Sequence, residues 1–483
     1  MTLLIVSLFA LVGGYALYGF IVERVFGIDA KRLMPAHTRC DGVDFVEMPT
    51  WRVFLIQFLN IAGLGPIFGA IMGVMFGPAA FIWIVAGTIF GGAVHDFISA
   101  MMSVRSGGDS LPELVGRELG PVVKQILRFV STVLLILVGA VFILTPAGIL
   151  DGMTPQWANT TFWIALIFLY YIAATLLPID KIIGRFYPIL GFALLFMAAG
   201  LLFALFFGGN VIPDGFSEGL QSRHSSSETH PLFPMMFVSI ACGAISGFHA
   251  TQSPMMARCL KNERLARPVF YGAMIAEGVV ALIWAAAAIA FTGGYSQLQE
   301  YMTTHTAGEL VHDVSVEWLG TFGGILALLG VVAAPITTGD TALRSARLIV
   351  ADFMHIDQSK FLKRMVITIP IFVLTFALMM LDFNVLWRYF AWTNQLLAAF
   401  TLWASTVYLA RHGRAYVITL VPALFMTSVV VTYLFTAPSP EGFGLSLDKA
   451  SLIAVLTDIV CLGLFIRYKI LLAKGKVIDD VAY

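Results

Sequence analysis

The chain has 483 residues, 59% of them hydrophobic and only 12% charged, with 29 basic side chains balanced by 29 acidic ones. That composition excludes an ordinary soluble domain and leaves a polytopic membrane protein. The zero net charge says nothing about partners, but the placement of the charges does.

The first apolar run, Leu3 to Val22, is long enough to span a bilayer and has no basic region before it. It predicts a retained helix rather than a cleaved signal peptide. Counting apolar runs of roughly 20 residues along the chain gives about thirteen spans. Their approximate limits are 3–22, 51–75, 78–104, 121–147, 157–178, 185–208, 233–257, 268–292, 319–350, 363–381, 384–410, 415–436 and 449–471. With the N-terminus outside, all 29 Lys and Arg residues except Arg223, Arg388 and Lys449 fall on the cytoplasmic side. The positive-inside rule therefore predicts N-out and C-in. Cys40 and Cys259 lie in cytoplasmic segments and Cys242 and Cys461 in spans, so no disulfide is expected.

Span 2 contains LNIAGLGPIFGA, with Gly63, Gly65 and Pro66 in the middle of an apolar run. Glycine loosens a helix and proline removes a backbone donor, so the span is expected to break there. The series Gly69/Gly73/Gly77 and, in span 3, Gly87/Gly91 reads as small-residue faces for close helix packing. Span 3 also carries His95 and Asp96 at membrane depth. Charged groups there are costly and usually functional, although a core histidine and a loop-bracing aspartate are the plainer readings.

Span 7 contains GAISGFHATQSPMM, residues 243–256, with Ser246, Gly247, His249, Thr251, Gln252, Ser253 and Pro254 in series. A second interruption is expected here, since freed backbone groups in hydrocarbon must be satisfied by protein or a wet cavity. His249 could donate to an anionic cargo or simply hold the unwound turn. Span 8 holds Glu277 with no partner in its own segment, which suits a proton carrier; a structural hydrogen bond to span 2 or span 9 is the rival.

The outer loop before span 9 has His305, Glu309, His312 and Asp313 on one face if helical, most simply a solvated face rather than a metal site. Span 9 reads APITTGDTALRSAR. Thr337 and Thr338 could form an oxygen cage for sodium, and Asp340 lies one turn from Arg344, as in a local ion pair. In span 11, Trp392, Asn394 and Gln395 could gate the site, or the tryptophans could belong to an interfacial belt.

The two interrupted spans lie five apart and so run in opposite directions. That spacing predicts an all-α, inverted 5+5 repeat. Residues 51–208 form the first five-helix unit and 233–410 the second. Residues 1–50, a first helix and cytoplasmic loop, precede them, and 411–483, two further helices and a tail, follow. Asp96 and Glu277 would then be pseudo-symmetry mates, and half-helix ends would meet near the midplane to hold cargo.

The motifs GLGPIFGAIMG, FGGAVHDFISAMMSVRSGG, CGAISGFHATQSPMMARC and APITTGDTALRSARLI, in this order, resemble the carbon starvation protein A (CstA) family from about Pro35 to Leu409. The resemblance implies a member of the amino acid–polyamine–organocation superfamily with the leucine-transporter-like fold, importing peptides or pyruvate across the bacterial inner membrane. It carries over to Gly63, Gly65, Pro66, His95, Asp96, Ser246, Gly247, His249 and Thr338 to Thr341.

The expected function is secondary active import by alternating access. Cargo would lie between Gly63, Gly65 and Pro66 on one side and Ser246, Gly247, His249, Thr251 and Gln252 on the other. Coupling would use a proton on His95, Asp96, Glu277 or Asp340, or alternatively sodium at Thr337 and Thr338. No cofactor, metal or nucleic acid is expected. A channel is the first rival; an intramembrane enzyme is the weakest, since no HExxH pair is present.

Overall fold

The computed structural model describes residues 1–40, 45–176, 180–212, 219–356 and 361–475, which form helices and their connections with no strand among them. The chain opens with α1 (Thr2–Phe26) and the short α2 (Pro35–Thr38). There follow α3 (Thr50–Ile61), α4 (Gly65–Val74), α5 (Ala79–Ala86), α6 (Ala93–Arg105), α7 (Leu111–Leu119), α8 (Pro121–Met153), α9 (Thr160–Leu176) and α10 (Asp180–Phe207). Next come α11 (Leu232–Ser239), α12 (Gly247–Ala257), α13 (Gly272–Thr292), α14 (Tyr295–Thr304), α15 (Ala307–Ala327), α16 (Ala334–Met354), α17 (Phe361–Leu378) and α18 (Phe383–Arg411). Two last helices follow, α19 (Val417–Thr436) and α20 (Leu447–Ala473).

Each apolar run of the sequence falls on one of these helices or on a consecutive pair. Among the described residues, 8 helices are long and apolar enough to cross a membrane, and the pair α3–α4, bent by 45°, makes a ninth. α9 is shorter, and α11 and α12 are parted by seven non-helical residues, 240–246. The long α15 is kinked at Gly320, whose φ of 63° lies in the left-handed region open to glycine. That residue separates the first, more polar part of α15 from the apolar part beyond it. Glu309 belongs to a capping box at the start of α15: its carboxylate accepts from the Thr306 amide at 2.6 Å, and Thr306 Oγ1 accepts from the Glu309 amide at 3.2 Å.

The first interruption is where the sequence puts it, at residues 62–64. The second is displaced. It runs from Ile240 to Ser246, and the stretch from Gly247 to Ala257, with His249, Thr251, Gln252 and Pro254, is helix. Pro254 does not break α12, so His249 is carried on a rigid helix, not on an unwound turn. The second interruption packs on the start of α4, right after the first. A Cβ built on Gly65 would lie 2.0 Å from Cys242 Cβ, and one built on Gly243 would lie 3.5 Å from the Cα of Pro66. The glycine series of α4 and of the following span are therefore seats for the second interruption: Gly69 and Gly73 take Ser239 and Ile240, and Gly87, Gly91 and Gly92 take Ala244 and Ile245.

One proline-freed carbonyl elsewhere in the bundle has a borrowed donor. Pro146 inside α8 cannot donate to the Phe142 carbonyl four residues back, and the Tyr171 hydroxyl of α9 donates to it instead at 3.0 Å.

At the basic edge of the bundle, the buried Glu263 carboxylate accepts from Arg105 at 2.7 and 2.8 Å and from the Asp29 amide at 2.7 Å. It thereby ties the ends of α1 and α6 to the loop after α12. Nearby, Glu118 of α7 is buried 3.5 Å from Arg411 of α18, and burial raises its carboxyl to about 7. Between the ordinary carboxyl range and about 7, the unfolded chain releases this proton while the folded chain keeps it, so stability falls as pH rises. Glu118→Gln should flatten that slope. The variant is expected to match the parent near pH 4 and exceed it at pH 8, by at most about 3 kcal/mol, in thermal unfolding in detergent.

Candidate functional site

The N-terminus of α12 is built by a residue from another helix. Ser246 has extended backbone and makes no side-chain cap of its own. Instead the side-chain Oδ1 of Asn394 on α18 accepts from the Phe248 amide at 2.9 Å and from the Ser246 hydroxyl at 3.1 Å. Gly247 lets the two helices come this close, since a Cβ there would sit 2.5 Å from the backbone carbonyl oxygen of Asn394 and 2.6 Å from the Ala398 nitrogen. The half-helix end expected to hold an anion is thus already occupied by an acceptor.

One turn into α12, His249 stands between two carboxylates. Its Nδ1 lies 3.2 Å from Asp96 Oδ2 on α6, and its Nε2 lies 3.6 Å from Glu277 Oε2 on α13. The other Asp96 oxygen, Oδ1, is 2.8 Å from His95 Nδ1. All four side chains are wholly buried. Three helices therefore deliver a chain of alternating imidazole and carboxylate: His95, Asp96, His249, Glu277.

Local helix geometry brings the two carboxylates to one ring. A π-helical turn at Gly87–Gly92 precedes α6, and another at Arg267–Tyr271 precedes α13. One extra residue in a helix turns everything after it by about 100°. Each of these helices carries the device a few residues before its acid. The carbonyl of Ile89, within the first π turn, accepts from the Tyr271 hydroxyl of the second at 2.9 Å, which locks the two together.

Two carboxylates without solvent cannot both stay ionised unless the imidazoles carry compensating protons. Contacts of 3.2 and 3.6 Å at His249 are looser than the 2.8 Å pair at His95, and neither His249 nitrogen nor either Glu277 oxygen has a well-aligned hydrogen bond.

Gln57 of α3 was not singled out in the sequence. It is wholly buried, donates to the Ser253 hydroxyl of α12 at 2.9 Å, and its Oε1 has no hydrogen-bond partner among the described residues. The available signal was two amides, Gln57 and Asn60, in an apolar run just before the first break.

The remaining candidates lie apart from the four-residue chain. Asp340 is buried on α16, which packs against α8 and α9, with Arg344 at 3.8 Å. Thr337 and Thr338 donate to the Ala334 carbonyl of their own helix at 2.7 and 3.1 Å, the usual habit of hydroxyls in membrane helices. Thr251 donates to the Phe248 carbonyl at 2.7 Å, and Gln252 donates to Thr251 at 3.0 Å. The expected gate is dispersed over three tethers. Trp392 donates to the Val430 carbonyl of α19 at 3.0 Å, Gln395 to the Phe237 carbonyl of α11 at 3.4 Å, and Asn394 caps α12.

The family model described as carbon starvation protein CstA matches residues 1–162, 153–317 and 302–433. The chain belongs to this family. A membrane protein of Haemophilus influenzae is 41% identical over 341 residues, covering 60% of this chain and 91% of that one. The pyruvate/proton symporter BtsT of Escherichia coli is 28% identical over 335 residues, 56% of this chain and 46% of BtsT. The peptide transporter CstA of Bacillus subtilis is 29% identical over 353 residues, 59% of this chain and 58% of that protein. The chain thus spans about half the length of the named transporters it matches.

Among solved structures, the manganese transporter of Eremococcus coleocola superposes with a TM-score of 0.51 at 13% identity, over 91% of this chain and 99% of that one. The nucleobase-cation-symport-1 family transporter MHP1, in a closed conformation, superposes with 0.52 at 14% identity, over 87% and 93%. At such identities the likeness shows the fold alone, the leucine-transporter-like one.

Asn394→Ala should cost about 1 kcal/mol, the usual value of a lost N-cap. The check is a lowered thermal midpoint of the purified variant in detergent.

Proposed function

We propose that this chain is a secondary active transporter of the bacterial inner membrane that imports small peptides or pyruvate, coupled to protons by alternating access. Residues 51–208 and 233–410 are its two inverted repeats, oriented with the N-terminus outside and the C-terminus inside. The observation that carries the reading is the placement of His249, buried between one carboxylate from each repeat. The names of the relatives supply the cargo class: peptide transporter CstA and pyruvate/proton symporter BtsT. Both kinds of cargo bear a carboxylate.

In this reading Glu277 takes the coupling proton and His249 passes it toward Asp96 and His95. A proton shifts the cluster's charge by one unit in a solvent-free setting, which is a large perturbation at short range. Rocking of one helix set against the other changes the cluster's exposure and lets the proton enter on one side and leave on the other. Cargo approaches the first interruption at Gly63, where an added Cβ would meet the Phe142 ring of α8 at an ordinary 3.5 Å. The second interruption is closed to it at the α12 end, where Asn394 accepts from the Phe248 amide and the Ser246 carbonyl from the His249 amide at 3.2 Å.

The test is uptake of pyruvate and of alanyl-alanine by proteoliposomes under separately imposed proton and sodium gradients. Accumulation against a gradient is expected with the proton gradient, and flux without coupling would indicate a channel. Glu277→Gln should abolish proton-driven accumulation while sparing cargo-for-cargo exchange. An unchanged pH dependence of accumulation in that variant would remove Glu277 from the coupling step.

A further inference from the structure

A second, smaller site lies between the outer halves of the two broken helices. A cavity of about 240 Å³ is lined by the end of α4, by α11 and by the start of α18. Ser239, the last helical residue before the second interruption, is in its wall, so the cavity adjoins the interrupted region. The expected orientation places it outside.

Apart from Tyr433, its charged and titratable lining is cationic or able to become so. Arg388 comes from α18, and His224 and His230 come from the loop before α11, their rings stacked at 5.1 Å. His224 Nδ1 accepts from the Ser226 amide at 3.2 Å, which leaves its proton on Nε2. Burial holds both imidazoles below their ordinary range, His224 further through His230, and His230 through Arg388. At neutral pH the lasting positive charge in the wall is the Arg388 guanidinium.

That guanidinium already holds a carboxylate. Arg388 Nε and Nη2 reach the two oxygens of Glu441 at 2.6 and 2.5 Å, in the two-pronged geometry that arginine uses for carboxylates. Glu441 comes from the connection between α19 and α20. Tyr433 donates to it at 3.1 Å, and Tyr389 donates to the neighbouring Pro440 carbonyl at 2.8 Å. The cavity is small beside the pockets that take drug-sized ligands, which suits an anion of a few heavy atoms or one end of a longer one.

We propose that this cavity is an entry site for carboxylate-bearing solutes, in which an incoming carboxylate replaces Glu441 on Arg388. The proposal rests on the transport reading above for its biological sense, though not for its binding chemistry. Glu441 is an internal competitor: it keeps Arg388 paired in the empty site and is itself held by Tyr433 when displaced.

The experiment measures pyruvate uptake from outside by proteoliposomes of the full chain and pyruvate binding to the purified chain by calorimetry. Arg388→Gln is expected to weaken binding and raise the external KM by roughly ten-fold, the scale of one charge-assisted hydrogen bond, with the maximal rate largely kept. Arg388→Lys should recover part of the loss. Glu441→Gln should move KM and Kd the other way, because it removes the competitor. If Glu441→Gln and Arg388→Gln weaken binding alike, the pair is only a strut and the entry site falls. Calorimetry separates the two proposals: binding that responds to these variants without any uptake would sink the transport reading alone, and uptake with a KM indifferent to Arg388 would sink the entry site alone.

Discussion

Both interruptions are buried, so every backbone group freed in them has to find its partner within the protein. That constraint governs the arrangement around them. The chain meets it by packing the second interruption on the start of α4 and by surrounding both interruptions with borrowed donors and acceptors. Thr88 donates to the Gly243 carbonyl at 3.1 Å, and Asn394 accepts from the Phe248 amide. Close approach needs residues without side chains, which is why Gly65, Gly69, Gly73, Gly87 and Gly92 all face the same seven residues. The four-residue ionisable chain is possible only because this packing also excludes solvent from it.

The fold was largely legible because membrane spans announce themselves by length and apolarity, and because two broken spans five apart have few topological solutions. The first break was legible for a local reason: Gly63, Gly65 and Pro66 are crowded into four positions. The second was misplaced because Pro254 is a stronger local signal than the residues at 240–246, yet tertiary packing overrode it. α12 is held by its neighbours on either side of the proline, Ser103 donating to the Pro254 carbonyl at 3.4 Å and Gln57 to the Ser253 hydroxyl. What unwinds Ile240 to Ser246 is the pair of glycine seats on other segments, and no window of sequence around residue 243 contains them.

The candidate site was legible as a list but not as a constellation. His95, Asp96, His249 and Glu277 stood out as ionisable groups at membrane depth, and the structure joins them. Asp340 stood out for the same reason and lies elsewhere, since depth in the membrane says nothing about azimuth around a bundle. The π turns that aim Asp96 and Glu277 left no mark in composition. Gln57 and Asn394 owe their parts to partners some 150 to 200 positions away in sequence.

The two contacts of His249 differ in what they join. α12 packs most extensively against α6, which carries Asp96, whereas α13, which carries Glu277, packs most extensively against α4. A slip along the seam between these helix pairs would stretch the 3.6 Å contact and leave the 3.2 Å one nearly as it is. The imidazole would then act as a commutator: the mechanical state of the bundle decides which acid it can reach.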